Sequence, residues 1–157
     1  MTKTNVIRQL EKAGIPFRTA EYEVDEADLS GVHVARQLGQ PCEQVFKTLV
    51  LRGPKLGPFV CCIPVAEEVD LKKAAEAAGE KKAEMLPLKE LLPTTGYIRG
   101  GCSPVGMKKK YPIWLDETAE LYGEIAVSAG VRGMQVILAP QDLIRFTGAK
   151  VADLTIV

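Results

Sequence analysis

Val45-Phe46-Lys47-Thr48-Leu49-Val50-Leu51 reads as a β-strand covered on both faces, because aliphatic and aromatic residues run through it with a single lysine as interruption. Side chains alternate along a strand, so Lys47 shares a face with Val45, Leu49 and Leu51, while Phe46, Thr48 and Val50 take the other. An unpaired ammonium on such a face costs on the order of several kcal/mol. Two readings of Lys47 follow from the pattern. It snorkels from a strand end or meets a carboxylate, or it marks a site for an anionic or carbonyl-bearing ligand.

Outward from this strand the punctuation is dense. Residues 52–58 (RGPKLGP) are rich in turn formers and 59–65 (FVCCIPV) form a second apolar run, which predicts an antiparallel hairpin. Upstream, Thr2 or Thr4 caps a helix carrying Val6, Ile7 and Leu10, with Gly14 as its stop and Pro16 preventing continuation. A strand over 17–24 places Tyr22 with Ala20 and Val24, and Ser30 caps a short helix with Val32, Ala35 and Leu38, ended by Gly39 and Pro41. Downstream, Asp70 caps a helix with Leu71, Ala74, Ala75 and Ala78 inward and Lys72 and Lys73 solvated. Residues 81–85 read as extended, and Pro87 opens a helix over 88–92 as its first residue.

Tyr97-Ile98-Arg99 reads as a short strand entering a loop over 100–106 (GGCSPVG). Glycines there allow close backbone approach and outward N–H groups, which suits a carbonyl oxygen or phosphate; an ordinary connecting turn fits the same residues. Neither a Walker A nor a dinucleotide fingerprint is present. Lys108, Lys109 and Lys110 follow, either as a solvated loop or as salt-sensitive phosphate contacts. Strands over 113–116, 124–128 and 134–138, a helical turn over 117–121, and a last helix opened by Pro140 and stopped by Gly148 complete the pattern. Residues 151–157 form a tail that adds a strand. Many short strands with scattered helices argue α+β rather than regularly alternating α/β.

The 157 residues fit one domain, 1–157, and 20 Lys+Arg balance 20 Asp+Glu. No global positive field draws such a chain onto nucleic acid, so any contact is local and DNA is not an expected partner. The charged N-terminus and the lack of a long apolar run predict a soluble cytoplasmic protein without membrane contact. Cys42, Cys61, Cys62 and Cys102 show no CxxC spacing, and His33 is the only histidine. Neither a disulfide framework nor a metal site is expected, and His33 reads as surface decoration.

Six segments stand in an order that resembles the YbaK/EbsC family of free-standing aminoacyl-tRNA editing proteins, relatives of the editing domain inserted in bacterial prolyl-tRNA synthetases. They are 45–49 (VFKTL), 70–75 (DLKKAA), 81–85 (KKAEM), 95–97 (TGY), 100–109 (GGCSPVGMKK) and 127–130 (VSAG) with Arg132-Gly133. The resemblance implies a mixed, mostly antiparallel, barrel-like sheet of six to eight strands packed with four to six helices. It implies hydrolytic removal of a wrong amino acid from the 3′ acceptor end of tRNA, without a cofactor. For this branch the implied substrate is cysteinyl-tRNA(Pro), with cysteinyl-tRNA(Cys) as a second. The route the resemblance implies is substrate-assisted: the bound cysteine's thiol attacks its own carbonyl carbon and leaves as a thiolactone.

Residue by residue, the resemblance makes Lys47 the functional lysine and places Gly101 and Ser103 in the glycine-serine-proline loop. Tyr22 matches an aromatic position near the pocket, while Ser128 and Gly130 match a second loop facing the same cleft. Backbone N–H groups near Gly101 are expected to stabilise the developing oxyanion. Lys47 is expected to position the substrate, and Tyr22 and Thr48 to shape the pocket. Cys102 offers a different mechanism, a protein thiolate, but no histidine base is placed near it in sequence. Gln135 stands where some relatives carry an acidic residue. Two other functions remain open at this level: a sister enzyme clearing alanine or another small amino acid with water, and a non-catalytic tRNA- or synthetase-binding protein. Because the chain is neutral overall, a bound prolyl-tRNA synthetase is the expected selector of the tRNA.

Overall fold

Capping chemistry sets the helix boundaries in the computed structural model, which describes residues 3–156. Helix α1 (Asn5–Lys12) starts at Thr4, whose side chain accepts from the Ile7 N–H, and it buries Val6, Ile7 and Leu10. Thr2, the alternative cap, lies outside the described residues. Helix α2 (Gly31–Leu38) is capped by Ser30 and α3 (Leu71–Ala78) by Asp70; Gly39 and Gly79 end them in the left-handed conformation. The inward face of α3 is narrower than expected. Ala74 and Ala75 are buried, but Leu71 is 38% exposed. Lys73, expected in solvent, instead binds Asp153 at 2.9 Å and the Thr155 carbonyl at 2.8 Å.

Helix α4 (Leu88–Thr95) departs further from expectation. Pro87 is its N-cap rather than its first residue, and the helix continues through Pro93. Pro93 forfeits one intrahelical N–H, and the helix closes directly afterwards through Thr95 Oγ1 on the Leu91 carbonyl and Gly96 N–H on the Leu92 carbonyl, both at 2.8 Å. The expected strand at Tyr97–Arg99 is absent, because these residues leave the helix cap and turn at once into the glycine loop. Helix α5 (Pro140–Thr147) opens on its proline and ends at Gly148, as expected.

The strands form two sheets. The larger has the order β4 (Glu84–Met85), β2 (Phe46–Gly53), β3 (Gly57–Pro64), β5 (Ile113–Asp116) and β8 (Lys150–Ala152). The smaller is β1 (Arg18–Glu21), β7 (Met134–Leu138) and β6 (Ile125–Ser128). The β3–β5 and β5–β8 pairs are parallel and the rest antiparallel, so the sheet is mixed and mostly antiparallel. One parallel bridge, Val45 to Ala126, joins the two sheets, and no closed barrel forms.

The β2–β3 hairpin is as expected, with Lys47 opposite Ile63 and Gly53 opposite Gly57. Its turn is held by a residue the sequence did not single out: buried Glu80 accepts from the N–H groups of Lys55 at 3.0 Å and Leu56 at 2.6 Å. Strand β3 is covered on both sides. Cys61 joins Phe59, Ile63 and Trp114 in one cluster, whereas Cys62 joins Val60, Leu115 and the buried residues of α1 in another. Burial of each large apolar side chain contributes roughly 1.5–3 kcal/mol, which makes this hairpin the centre of the fold.

What positions a site is the outer edge of β2. Val45 bridges to β6 at one end, and Leu51 and Arg52 pair with β4 at the other. Between them, no strand among the described residues covers the edge. The two sheets part there, and the gap is a cavity.

Candidate functional site

The cavity has a volume of about 550 Å³, and both Lys47 and Thr48 line it. On a covered strand these neighbours would point to opposite faces. They share the cavity because it meets β2 edge-on. The ladder places the N–H and C=O of alternate residues on that edge: Leu86 N–H binds the Val50 carbonyl at 2.9 Å, while the Val45 carbonyl turns the other way to accept from Val65 N–H at 2.8 Å. Thr48 therefore presents its backbone N–H and C=O outward with Val50.

Opposite the open edge stand Ser128 of β6 and Gln135 of β7, which face each other in register. Tyr22 lies just beyond β1, held by its N–H on the Gly133 carbonyl at 2.9 Å, and reaches the same space. Met85, Leu88 and Leu91 form an apolar rim, and Arg99, Gly100 and Cys102 supply one wall, with Leu29 to Gly31, Val34 and Val65 supplying another.

The charge pattern is one-sided. Lys47 and Arg99 are the charged residues of the lining, and no carboxylate joins them there. Among the described residues no carboxylate oxygen comes within 4.0 Å of the Lys47 ammonium. Burial lowers its pKa from the ordinary lysine value, partly offset by the fields of Glu68 and Glu67. Lys47 is thus a partly desolvated cation without a direct partner.

Other expected site residues fall elsewhere. Gly101 is buried, and its N–H closes a turn on the Ile98 carbonyl at 3.0 Å, so that group is not available as the expected oxyanion donor. Its glycine identity serves a close approach of a different kind: a Cβ there would sit 3.2 Å from the Arg132 backbone nitrogen. Arg132 Nε also donates to the Arg99 carbonyl at 2.8 Å, locking the two loops together. Ser103 is fully buried, and its hydroxyl accepts from Val105 N–H at 3.3 Å, a local turn. Gly130, with φ +95°, packs against Val6 and Tyr97 rather than lining the cavity, and its N–H binds Ser128 Oγ at 3.1 Å.

Lys108, Lys109 and Lys110 line a second concavity of about 300 Å³ with Tyr111 and Phe146, separate from the Lys47 cavity. His33 lies outside the Lys47 cavity beside Gln37 and Asp28. Burial pushes the Cys102 thiol up to about 12, and Cys62 likewise, which opposes a thiolate nucleophile at neutral pH. Arg99 and the apolar rim carry no signal of a site in the sequence. Only their arrival at one cavity marks them.

The family model described as an aminoacyl-tRNA editing domain matches residues 27–146, and the chain belongs to this family. Among its relatives is EbsC of Enterococcus faecalis, a proposed Cys-tRNA(Pro)/Cys-tRNA(Cys) deacylase, 50% identical over 153 residues covering 98% of this chain and 93% of that protein. YwhH of Bacillus subtilis, an uncharacterized protein, is 30% identical over 137 residues, covering 86% of this chain and 81% of that one. A crystal structure of a proposed trans-editing enzyme for prolyl-tRNA synthetase superposes with a TM-score of 0.84 at 27% identity, covering 99% of this chain and 100% of that chain. The resemblance read from the six sequence segments is borne out.

Proposed function

We propose that this protein is an aminoacyl-tRNA deacylase that removes cysteine from mischarged tRNA(Pro), with cysteinyl-tRNA(Cys) as a second substrate. The observation that carries the reading is Lys47: a partly desolvated cation with no carboxylate partner among the described residues, on an open strand edge, in a chain half identical to EbsC. An anionic polymer carrying a reactive ester suits such a site.

Esters between an amino acid and ribose are activated already, so positioning supplies much of the rate. The substrate thiol attacks its own carbonyl carbon, forming a C–S bond. The ester C–O bond then breaks, the ribose oxygen takes up the thiol proton, and a four-membered thiolactone departs. No protein nucleophile is consumed, in keeping with the high pKa of Cys102. Lys47 holds the terminal adenosine phosphate or the substrate backbone, while Tyr22, Thr48 and Ser128 fix the aminoacyl group. In the oxyanion role we place the N–H of Cys102, the next group along the loop, because the Gly101 N–H is already engaged by the Ile98 carbonyl. Lys108, Lys109 and Lys110 meet tRNA phosphates, and a bound prolyl-tRNA synthetase selects the tRNA body. Zero net charge supports that division of labour.

The test is release from tRNA charged separately with cysteine, serine, alanine or proline. Cysteine should be released and serine retained, because serine has the size but lacks the thiol. Comparable release of alanine would replace thiol attack with water attack. No release from any of them at micromolar enzyme would leave a binding protein.

A further inference from the structure

Gln135 has no role in the chemistry above, yet it is the most conspicuous polar group of the cavity. It is 6% exposed, and its Oε1 is the buried side-chain oxygen or nitrogen without a hydrogen-bond partner among the described residues. Of its neighbours in register, Ala20 has no polar side chain, and Ser128 engages its hydroxyl oxygen with Gly130 N–H rather than with Gln135. A buried carbonyl oxygen left unpaired costs roughly 1–3 kcal/mol, and a ligand donor relieves that cost.

Depth identifies the donor. Gln135 and Ser128, at 6% and 7% exposure, are at the floor, whereas Met85 and Leu88, at 43% and 61%, are at the rim. The end of a polymer enters terminal group first, so the floor meets the amino acid and the polynucleotide leaves over the rim. An aminoacyl group carries two kinds of donor there, the α-amine and the side chain, and for cysteine the thiol is the weaker. With two cations and no carboxylate in the lining, a neutral amide oxygen accepts from the amine without requiring it to be charged.

We propose that Gln135 recognises the free α-amine of the bound aminoacyl group, and that this hydrogen bond makes the site reject tRNA whose amine is acylated, as in peptidyl-tRNA. The inference rests on the aminoacyl-tRNA reading of the cavity and adds the specificity that would spare nascent chains. Acylation removes donor hydrogens and the basicity of the amine, and the one N–H that is left is fixed in the plane of its acyl group and cannot turn to meet the Gln135 oxygen.

The experiment uses the full chain and 3′-(L-cysteinylamino)-3′-deoxyadenosine, whose amide resists cleavage, in free-amine and N-acetyl forms, with Kd measured by calorimetry. The wild type is expected to prefer the free amine by at least ~tenfold, Gln135→Met to bring the ratio near one with a thermal midpoint no lower than wild type, and Gln135→Glu to raise the ratio above wild type. Gln135→Met with the wild-type ratio, equal binding of both forms by the wild type, or no binding of either would overturn the proposal. If the Met variant does not fold, the Glu variant decides alone, and a ratio at or below wild type overturns it. Deacylation of cysteinyl-tRNA is measured in parallel. Amine-selective binding without turnover would sink the deacylase reading and leave this one standing.

Discussion

Lys47 and Arg52 are carried by the same strand, one at its open edge and the other where β4 covers it. Arg52 Nε meets Glu84 at 2.7 Å and a terminal guanidinium nitrogen meets Glu90 at 3.2 Å, and its pKa is raised, first by the hydrogen bond to Glu84. Among the described residues Lys47 has no such carboxylate, and burial moves its pKa the other way. The same strand thus holds a cation answered by the fold and a cation left for something else. Partnering, more than charge or strand position, separates a structural cation from a functional one.

Replacing Lys47 puts that distinction to its hardest test. Lys47→Met should lower cysteinyl-tRNA deacylation by at least ~10²-fold in single-turnover assays, because a mispositioned ester loses most of its effective concentration. The same variant should be more stable than wild type at neutral pH by thermal melting. A lysine whose folded pKa is lowered destabilises the fold while it is charged, so wild type regains stability as pH rises from that lowered pKa towards the ordinary lysine value. The gap between variant and wild type should therefore close with rising pH. A Lys47→Met protein that retained activity, or lost stability at neutral pH, would move Lys47 into the same class as Arg52.

A smaller effect is expected from the lysines outside the cavity. Changing Lys108, Lys109 and Lys110 to Gln should raise KM several-fold at low salt and flatten its salt dependence, by up to roughly 0.7–0.9 in log–log slope for each phosphate no longer neutralised. Smaller again is Cys102→Ala, expected to keep deacylation within about twofold in initial-rate assays, since the residue is a wall rather than a reagent. Removing a buried sulfur should cost about 1 kcal/mol by denaturant titration. The smallest effect on turnover belongs to Arg52→Met: slightly lower thermal stability and unchanged activity. Lost activity there would erase the distinction between the two ends of β2.

Much of the architecture is written locally. Thr4, Ser30 and Asp70 cap, and Gly39, Gly79 and Gly148 terminate, because these residues act on backbone groups within a few positions of themselves. Tyr97–Arg99 misled because a short β-rich tripeptide lacks the span to show that it follows directly from a helix cap. The glycine loop misled more instructively. Gly101 reads from sequence as an approach to a ligand, and in the fold the approaching backbone belongs to residues 131 and 132.

The α+β class, the β2–β3 hairpin and the anomaly of Lys47 were all legible in the amino-acid sequence, since each rests on periodicity, capping or turn chemistry read over a short window. Its ordered segments also pointed to the editing family. Folding in three dimensions was needed to establish that, among the described residues, Lys47 is unpaired and Gln135 has an unanswered oxygen, that Thr48 reaches the same cavity from the opposite face, and that Gly101, Ser103 and Gly130 serve the loops instead. The physical reason is common to all four. Hydrogen bonds and ion pairs are satisfied or left open by partners far away in the chain, and only folding brings those partners within reach or leaves them out.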